Sequence, residues 1–155
     1  MADIKIPELE TEFVFNKRPV AIPGDLRPSW RIGLLVMLLQ NCCRNGRSSL
    51  TRLHVLSWGI RTKENRLSLQ AAARETLAPD ALIVRVEPYL NRAIDFALGE
   101  ELVRRVKGGK IELTSSGVRL ANELEQEEEA YTLEKAFMEA IGKRVTEALV
   151  NRMFK

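Results

Sequence analysis

A chain of 155 residues with 24 Lys and Arg against 21 Asp and Glu carries a net charge of +3, and 45% of its residues are hydrophobic and 29% charged. That balance excludes a disordered polyelectrolyte and a membrane-embedded bundle, and the length allows one domain burying about 70% of its unfolded surface. So small a cationic excess does not by itself argue for a polyanion ligand. No stretch approaches the roughly 18 uncharged apolar residues that span a bilayer, and the opening Met-Ala-Asp-Ile-Lys has no apolar signal core. A cytoplasmic protein without membrane association is expected. Cys42 and Cys43 are adjacent, which rules out a Cys-x-x-Cys zinc knuckle and would strain a mutual disulfide; they read as reduced helix residues.

Residues 1–28 contain Pro7, Pro19, Pro23 and Pro28 and few helical signals, so they read as an extended N-terminal strap. The apolar cluster Phe13-Val14-Phe15 within it is expected to lie against a surface, that of its own domain or of a partner. A first helix is expected from Ser29, as N-cap, to Arg44; Ile32 and Leu34 through Leu39 leave it almost no polar face, making it the central core helix. Asn45-Gly46 closes it. Ser48 or Ser49 then caps a second helix running to Trp58-Gly59, with Leu50, Leu53, His54, Ser57 and Trp58 on one side and Arg52 on the other. His54 reads as a hydrogen-bonded core residue, since no acidic or cysteine partners lie near it in sequence.

Thr62 caps a third helix, Lys63 to about Leu77, whose Arg61, Lys63, Arg66 and Arg74 alternate with Glu64 and Glu75 as a solvated mixed face. Leu82 to Val86 reads as a short strand. A fourth helix, Glu87 to Leu98, turns Leu90, Ala93, Ile94, Ala97 and Leu98 inward and leaves Tyr89, Arg92, Asp95 and Phe96 outside, ending with Gly99 in a left-handed C-cap. Leu102, Val103 and Val106 mark a strand, Lys107-Gly108-Gly109 a tight reversal, and Lys110 to Thr114 a returning strand. Thr114-Ser115-Ser116 offers N-cap hydroxyls to a helix bearing Val118, Leu120, Ala121 and Leu124. An acidic run including Glu123, Glu125 and Glu127 to Glu129 follows. Beyond it Leu133, Phe137, Ile141, Val145, Leu149 and Met153 recur every four residues. Each such step advances about 40° around a helix, so the stripe drifts and needs two surfaces, either through a bend near Gly142 or by lying between its own body and another chain.

Helix, basic hairpin and helix in this order form the second half of a winged helix-turn-helix. The stretch Leu113-Thr114-Ser115-Ser116-Gly117 resembles the wing-to-helix junction of small bacterial winged-helix proteins, including repressors related to the multiple-antibiotic-resistance regulator. The expected fold is therefore mostly α with a small β-wing: a winged helix-turn-helix over residues 29–124 with an inserted helix, and a C-terminal helical extension over 125–155.

Three function classes compete. An enzyme needs a base beside a nucleophile, paired carboxylates, a metal cluster or a phosphate loop; the sequence offers one histidine on an apolar side and none of the motifs, so no catalytic residue, metal or cofactor is expected. DNA contact rests on Arg92, Arg104, Arg105, Lys107 and Lys110, a basic wing beside a helix in the groove-reading position. Against it, Asp95 faces the phosphates, and Tyr89 and Phe96 offer little polar base readout. Those same residues favour protein binding, because exposed aromatics beside an arginine are what interface centres are made from. The candidate partner-contacting set is Tyr89, Arg92, Asp95 and Phe96, with Leu133, Phe137, Ile141, Val145 and Leu149 of the tail.

The run from Ser49 to Arg66, preceded by Phe15-Asn16-Lys17-Arg18-Pro19 and followed by the inserted helix and wing, resembles the middle component of bacterial three-component systems. These pair such a subunit with an SMC-like ABC ATPase and, in the Lamassu type of antiphage defence, with an effector nuclease. The resemblance covers about Phe13 to Leu124. It implies a non-catalytic accessory subunit docked on the ATPase, with the effector as a further partner and duplex DNA as a secondary contact. The alternative is a DNA-binding transcriptional regulator, a homodimer through its C-terminal helix.

Overall fold

The apolar run Leu34–Leu39 lies in the middle of α1 (Pro28–Cys42), every one of its side chains buried. In the computed structural model, which describes residues 27–154, α1 packs against helices on several sides, and the rest of the domain is laid around it. Pro28 occupies the first turn, where a missing N–H costs nothing, and Arg27, not Ser29, stands at the N-cap, its side chain making no capping hydrogen bond to the helix. The expected strap lies outside the described residues except for its last two positions.

A 3-10 turn at Arg44–Gly46 with Asn45 at φ 57° reverses the chain into a two-residue strand, β1 (Arg47–Ser48). Two helices follow, α2 (Leu50–Arg61) and α3 (Lys63–Ala73), each started by a hydroxyl: Ser49 accepts from the Arg52 N–H and Thr62 from the Asn65 N–H. Helix α2 is buried from Arg52 to Ile60, so the one-sided pattern expected for it fails in both directions. Arg52 is 5% exposed and donates to the Cys42 carbonyl at 2.6 Å, closing the C-terminal end of α1, while Leu50 is 40% exposed. Helix α3 stops short of Leu77, at a turn with Glu75 at φ 60°.

After a 3-10 turn at Pro79–Ala81 the chain runs extended to α4 (Pro88–Gly99). Leu82–Val86 is not a strand of the sheet. The third strand is β1 instead, and the order β1-β3-β2 places β3 (Lys110–Leu113) between β1 and β2 (Val103–Val106), antiparallel to both. The β2–β3 reversal has Gly108 at φ 81° and Gly109 at φ 71°. Helix α4 ends through 6→1 and 5→2 bonds, Leu102 N–H to Ala97 and Glu101 N–H to Leu98, so the left-handed residue is Glu101 and not Gly99.

Helix α5 (Ser115–Gln126) starts at Thr114, whose hydroxyl accepts from the Gly117 N–H and donates to the Glu101 carbonyl. Gly117 lies against the backbone of Leu102: a Cβ there would fall 2.0 Å from the Leu102 carbonyl oxygen. The boundary expected at 124/125 falls inside α5. The remaining chain forms α6 (Thr132–Ile141) and α7 (Glu147–Met153), separated at Gly142, whose φ of 51° and ψ of −131° suit only glycine. That break resolves the drift of the apolar stripe. Phe137, Ile141, Val145, Leu149 and Met153 all enter the same core as α1, α6 lying against α1 and α3, and α7 against α2 and the Pro79–Ala81 turn. Tyr131 stacks on Trp30 with centroids 5.5 Å apart and donates to its carbonyl at 2.8 Å; burial pushes its hydroxyl pKa up to about 12. Glu147 accepts from the Ser49 N–H and hydroxyl at 2.9 and 2.7 Å, so the tail also caps α2. The result is a helix-rich domain with a small three-stranded antiparallel sheet, and among the described residues no helix is long and apolar enough to cross a membrane.

Candidate interaction surface

Helix α4 presents its outer face because its inner face and first turn are held by three separate devices. Leu90, Ala93, Ile94 and Ala97 are buried. Glu87, at the N-cap, is 6% exposed and joins two cations, Arg31 of α1 at 3.2 Å and Arg61 of α2 at 2.6 Å. Its carboxylate also stands at the positive end of the helix dipole. Asn91 reaches back to α2, its Oδ1 lying 3.2 Å from His54 Nε2.

The histidine bond fixes the protonation chemistry. With Nε2–H donating to Asn91, Nδ1 is left buried and without a partner. Protonation would place an N–H where nothing accepts it, and burial pushes the His54 pKa below its usual 6.5. The unfolded chain therefore binds the proton more tightly than the folded one, and the stability that neutral His54 contributes is complete above about 6.5 and lost as pH falls through the depressed folded value. Thermal denaturation from pH 7.5 to 5 is expected to show Tm declining, with a shallower decline in His54→Gln. Equal slopes in the two proteins would remove His54 as the cause.

The outer face carries Tyr89 at 50% and Phe96 at 53% exposure, with Arg92 and Asp95 exposed beside them, as expected from the helical spacing. Tyr89 is not loose: the Arg31 guanidinium lies 5.0 Å from its ring centroid. Leu133 is 64% exposed and remains available, but Phe137, Ile141, Val145 and Leu149 are inside the chain's own core. Those four therefore leave the candidate partner-binding set, and the apolar stripe of the tail offers no continuous face to a second copy.

The hairpin separates its adjacent arginines. Arg104 pairs across the sheet with Glu112, which also takes Arg47, so the three form a row on the face away from the core. Hydrogen bonds from Arg47 and then Arg104 hold the Glu112 carboxyl below its ordinary range. Arg104 thus shares the single Glu112 carboxylate with Arg47, and the row keeps a net charge of +1. Arg105 stands opposite Ile111 on the other face and lines a shallow cleft with Leu50, Asn91, Ile94 and Asp95. Lys107 is exposed at the hairpin tip and Lys110 is half-buried. The five cations expected to act together are therefore divided: Arg104 faces one way, Arg105 turns toward α4, and Arg92 belongs to the aromatic face.

Arg31, Glu87 and Arg47 take part in these ion pairs although sequence patterning does not single them out, and Arg61, expected on a solvated mixed face, joins them. The first had a signal, since a lone cation in an apolar helix requires a buried counter-charge. Nothing local pointed to Glu87 as that partner. Cys42 and Cys43 are free and buried, and Cys43 lies just past the helix end in extended conformation. Burial pushes the Cys42 thiol up to about 12 and raises that of Cys43, which makes both poor nucleophiles. Comparison with family models, with curated proteins and with solved structures gave no match.

Proposed function

We propose that this chain is a winged-helix accessory subunit, without catalytic activity of its own, that docks through the outer face of α4 on a protein partner: an SMC-like ABC ATPase of an antiphage defence complex that also holds an effector. The order helix, short strand, helices, hairpin, with strand order β1-β3-β2, supports the winged-helix reading. The observation that carries the docking reading is the pair of half-exposed aromatics, Tyr89 and Phe96, flanking Arg92 on a helix whose opposite side is clamped by buried contacts. A rigid helix presenting aromatic anchors beside an arginine loses little entropy on association.

Phe96→Asp tests it. The side chain is exposed, so stability is expected to stay within about 0.5 kcal/mol of the parent, while co-purification with a co-expressed ATPase encoded beside this gene falls at least about tenfold. Undiminished complex formation would sink the α4 face as the docking surface. An isolated gene lacking such a neighbour would count against the ATPase as partner.

DNA contact is the second reading, favoured by Arg105 standing exposed beside α4 and Lys107 exposed at the hairpin tip. If the hairpin lies on phosphates, replacing Arg105, Lys107 and Lys110 with Ala weakens duplex binding and flattens its salt dependence by about 0.9 in log–log slope for each phosphate no longer neutralised. Arg104→Ala, on the opposite face of the hairpin from Arg105 and ion-paired with Glu112, is expected to change the slope least. Absence of binding by the parent at low salt would remove this role.

A further inference from the structure

The outer line of α4 carries a cation and an anion that nothing in the described chain uses. Arg92 and Asp95 are exposed, and neither takes part in an ion pair or side-chain hydrogen bond among the described residues. Arg105 borders the same cleft as Asp95 without pairing to it. At about 100° per residue, Arg92 and Asp95 stand about 60° apart and straddle the direction opposite the buried Leu90, Ala93, Ile94 and Ala97. Tyr89 and Phe96 share one flank of that line, about 20° from each other. Pro88 and Gly99 are exposed at its two ends, and a Cβ added at Gly99 would meet nothing within 4 Å.

This arrangement is complementary to itself. When two such helices lie antiparallel about a twofold axis that passes between Ala93 and Ile94, Arg92 comes opposite the partner's Asp95 and Pro88 opposite the partner's Gly99. The operation keeps both aromatic flanks on the same side, so Tyr89 meets the partner's Phe96 with an offset of about 3 Å along the axis. Two ion pairs and two aromatic pairs follow from one symmetry operation, as in an isologous interface. An unrelated surface has no such built-in match; a second copy of this chain has it by construction.

We propose that the outer face of α4 pairs antiparallel with the same face of a second copy, Arg92 bonding the partner's Asp95 and Tyr89 packing beside the partner's Phe96. The proposal rests on the reading of this face as an interaction surface, but not on the identity of the ATPase. A helix of 12 residues is about 18 Å long and offers far less than the roughly 800 Å² per partner of a standard interface. The dimer is therefore weak, with a Kd on the order of 100 µM. It also closes the face that docking needs, so self-pairing and docking exclude each other and the free chain gives way to a tighter partner.

Sedimentation equilibrium of the isolated full chain, from about 10 µM to 1 mM, is the test. The parent is expected to pass from monomer to dimer across this range. Arg92→Asp sets two carboxylates against each other and Asp95→Arg two guanidinium groups, so each alone should weaken the dimer at least about tenfold. Arg92→Asp combined with Asp95→Arg restores both pairs with their signs exchanged and should return the Kd to within about threefold of the parent. All these positions are exposed, and an unchanged thermal midpoint in the three variants serves as the control for folding. A parent that stays monomeric throughout, a dimer indifferent to the single reversals, or a double reversal that fails to restore it overturns the proposal. None of these outcomes bears on co-purification of Phe96→Asp with the ATPase, so the two readings of the face fail separately.

Discussion

Gly117→Ala is expected to destabilise the domain by about 3 kcal/mol or more, the upper end of what overpacking costs. The added methyl would sit 2.0 Å from the Leu102 carbonyl oxygen and 2.8 Å from Leu113 Cδ2. A side chain can rotate away, but a carbonyl cannot: Leu102 O accepts the Thr114 N–H at 3.0 Å, and the Leu102 N–H is already committed to Ala97. Relief requires α5 to move off the hairpin, which breaks the Thr114 cap and lifts Ala121 from the core. For a domain of this size each kcal/mol moves Tm by about 2–4 °C, so a fall on the order of 10 °C is predicted by calorimetry. Ser116→Ala, at an exposed neighbouring position, serves as the comparison and should stay within about 0.5 kcal/mol. An unchanged Tm in Gly117→Ala would show that α5 and the hairpin are not packed as closely as described.

Glu87→Ala is the second large effect, about 3–5 kcal/mol. The Arg31 side chain is 9% exposed, so removing Glu87 leaves a guanidinium buried without that carboxylate; Arg61, 53% exposed, keeps most of its hydration. The loss is therefore asymmetric, and Arg61→Ala is expected to cost about 1 kcal/mol or less. Replacing both buried partners, Arg31→Met with Glu87→Leu, should recover most of the stability, since a well-packed apolar pair often equals a buried ion pair. Urea denaturation of the four proteins distinguishes these outcomes. A Glu87→Ala variant no weaker than Arg61→Ala would mean that the buried pair contributes nothing. The same substitution unfastens the start of α4 from α1 and α2, so the position of Tyr89 depends on it.

Much of the fold was legible because its signals are local. Ser49, Thr62 and Thr114 announce helix starts through a hydroxyl placed before an apolar run, and each bonds the predicted kind of N–H. The outward face of α4 follows from helical spacing alone. The Leu113 to Gly117 junction is recognisable as a pattern, and the structure supplies its reason: the threonine caps α5 and ties it to Glu101, and the glycine admits the Leu102 carbonyl. What escaped was non-local. Two residues of β1 are too few to show a period, whereas Leu82–Val86 has strand character without a strand beside it among the described residues. Arg52 reads as outward from spacing yet is drawn in by a carbonyl at the end of the preceding helix. The tail's stripe revealed that two surfaces are needed, but not that both belong to this chain. Arg104 and Arg105 look alike in sequence and face opposite ways because a strand alternates.

The tail's place in the core has a consequence during synthesis. Helix α1, buried without a break from Gly33 to Leu39, is complete once Cys42 has been added, but the side chains that cover it extend to Phe137 and Ile141 of α6. At translation rates of about 5–20 residues per second, the most apolar segment of the protein waits on the order of ten seconds for its last cover. For that interval the side of α1 that α6 covers stays open, while α4 and α5, made earlier, already lie against the helix.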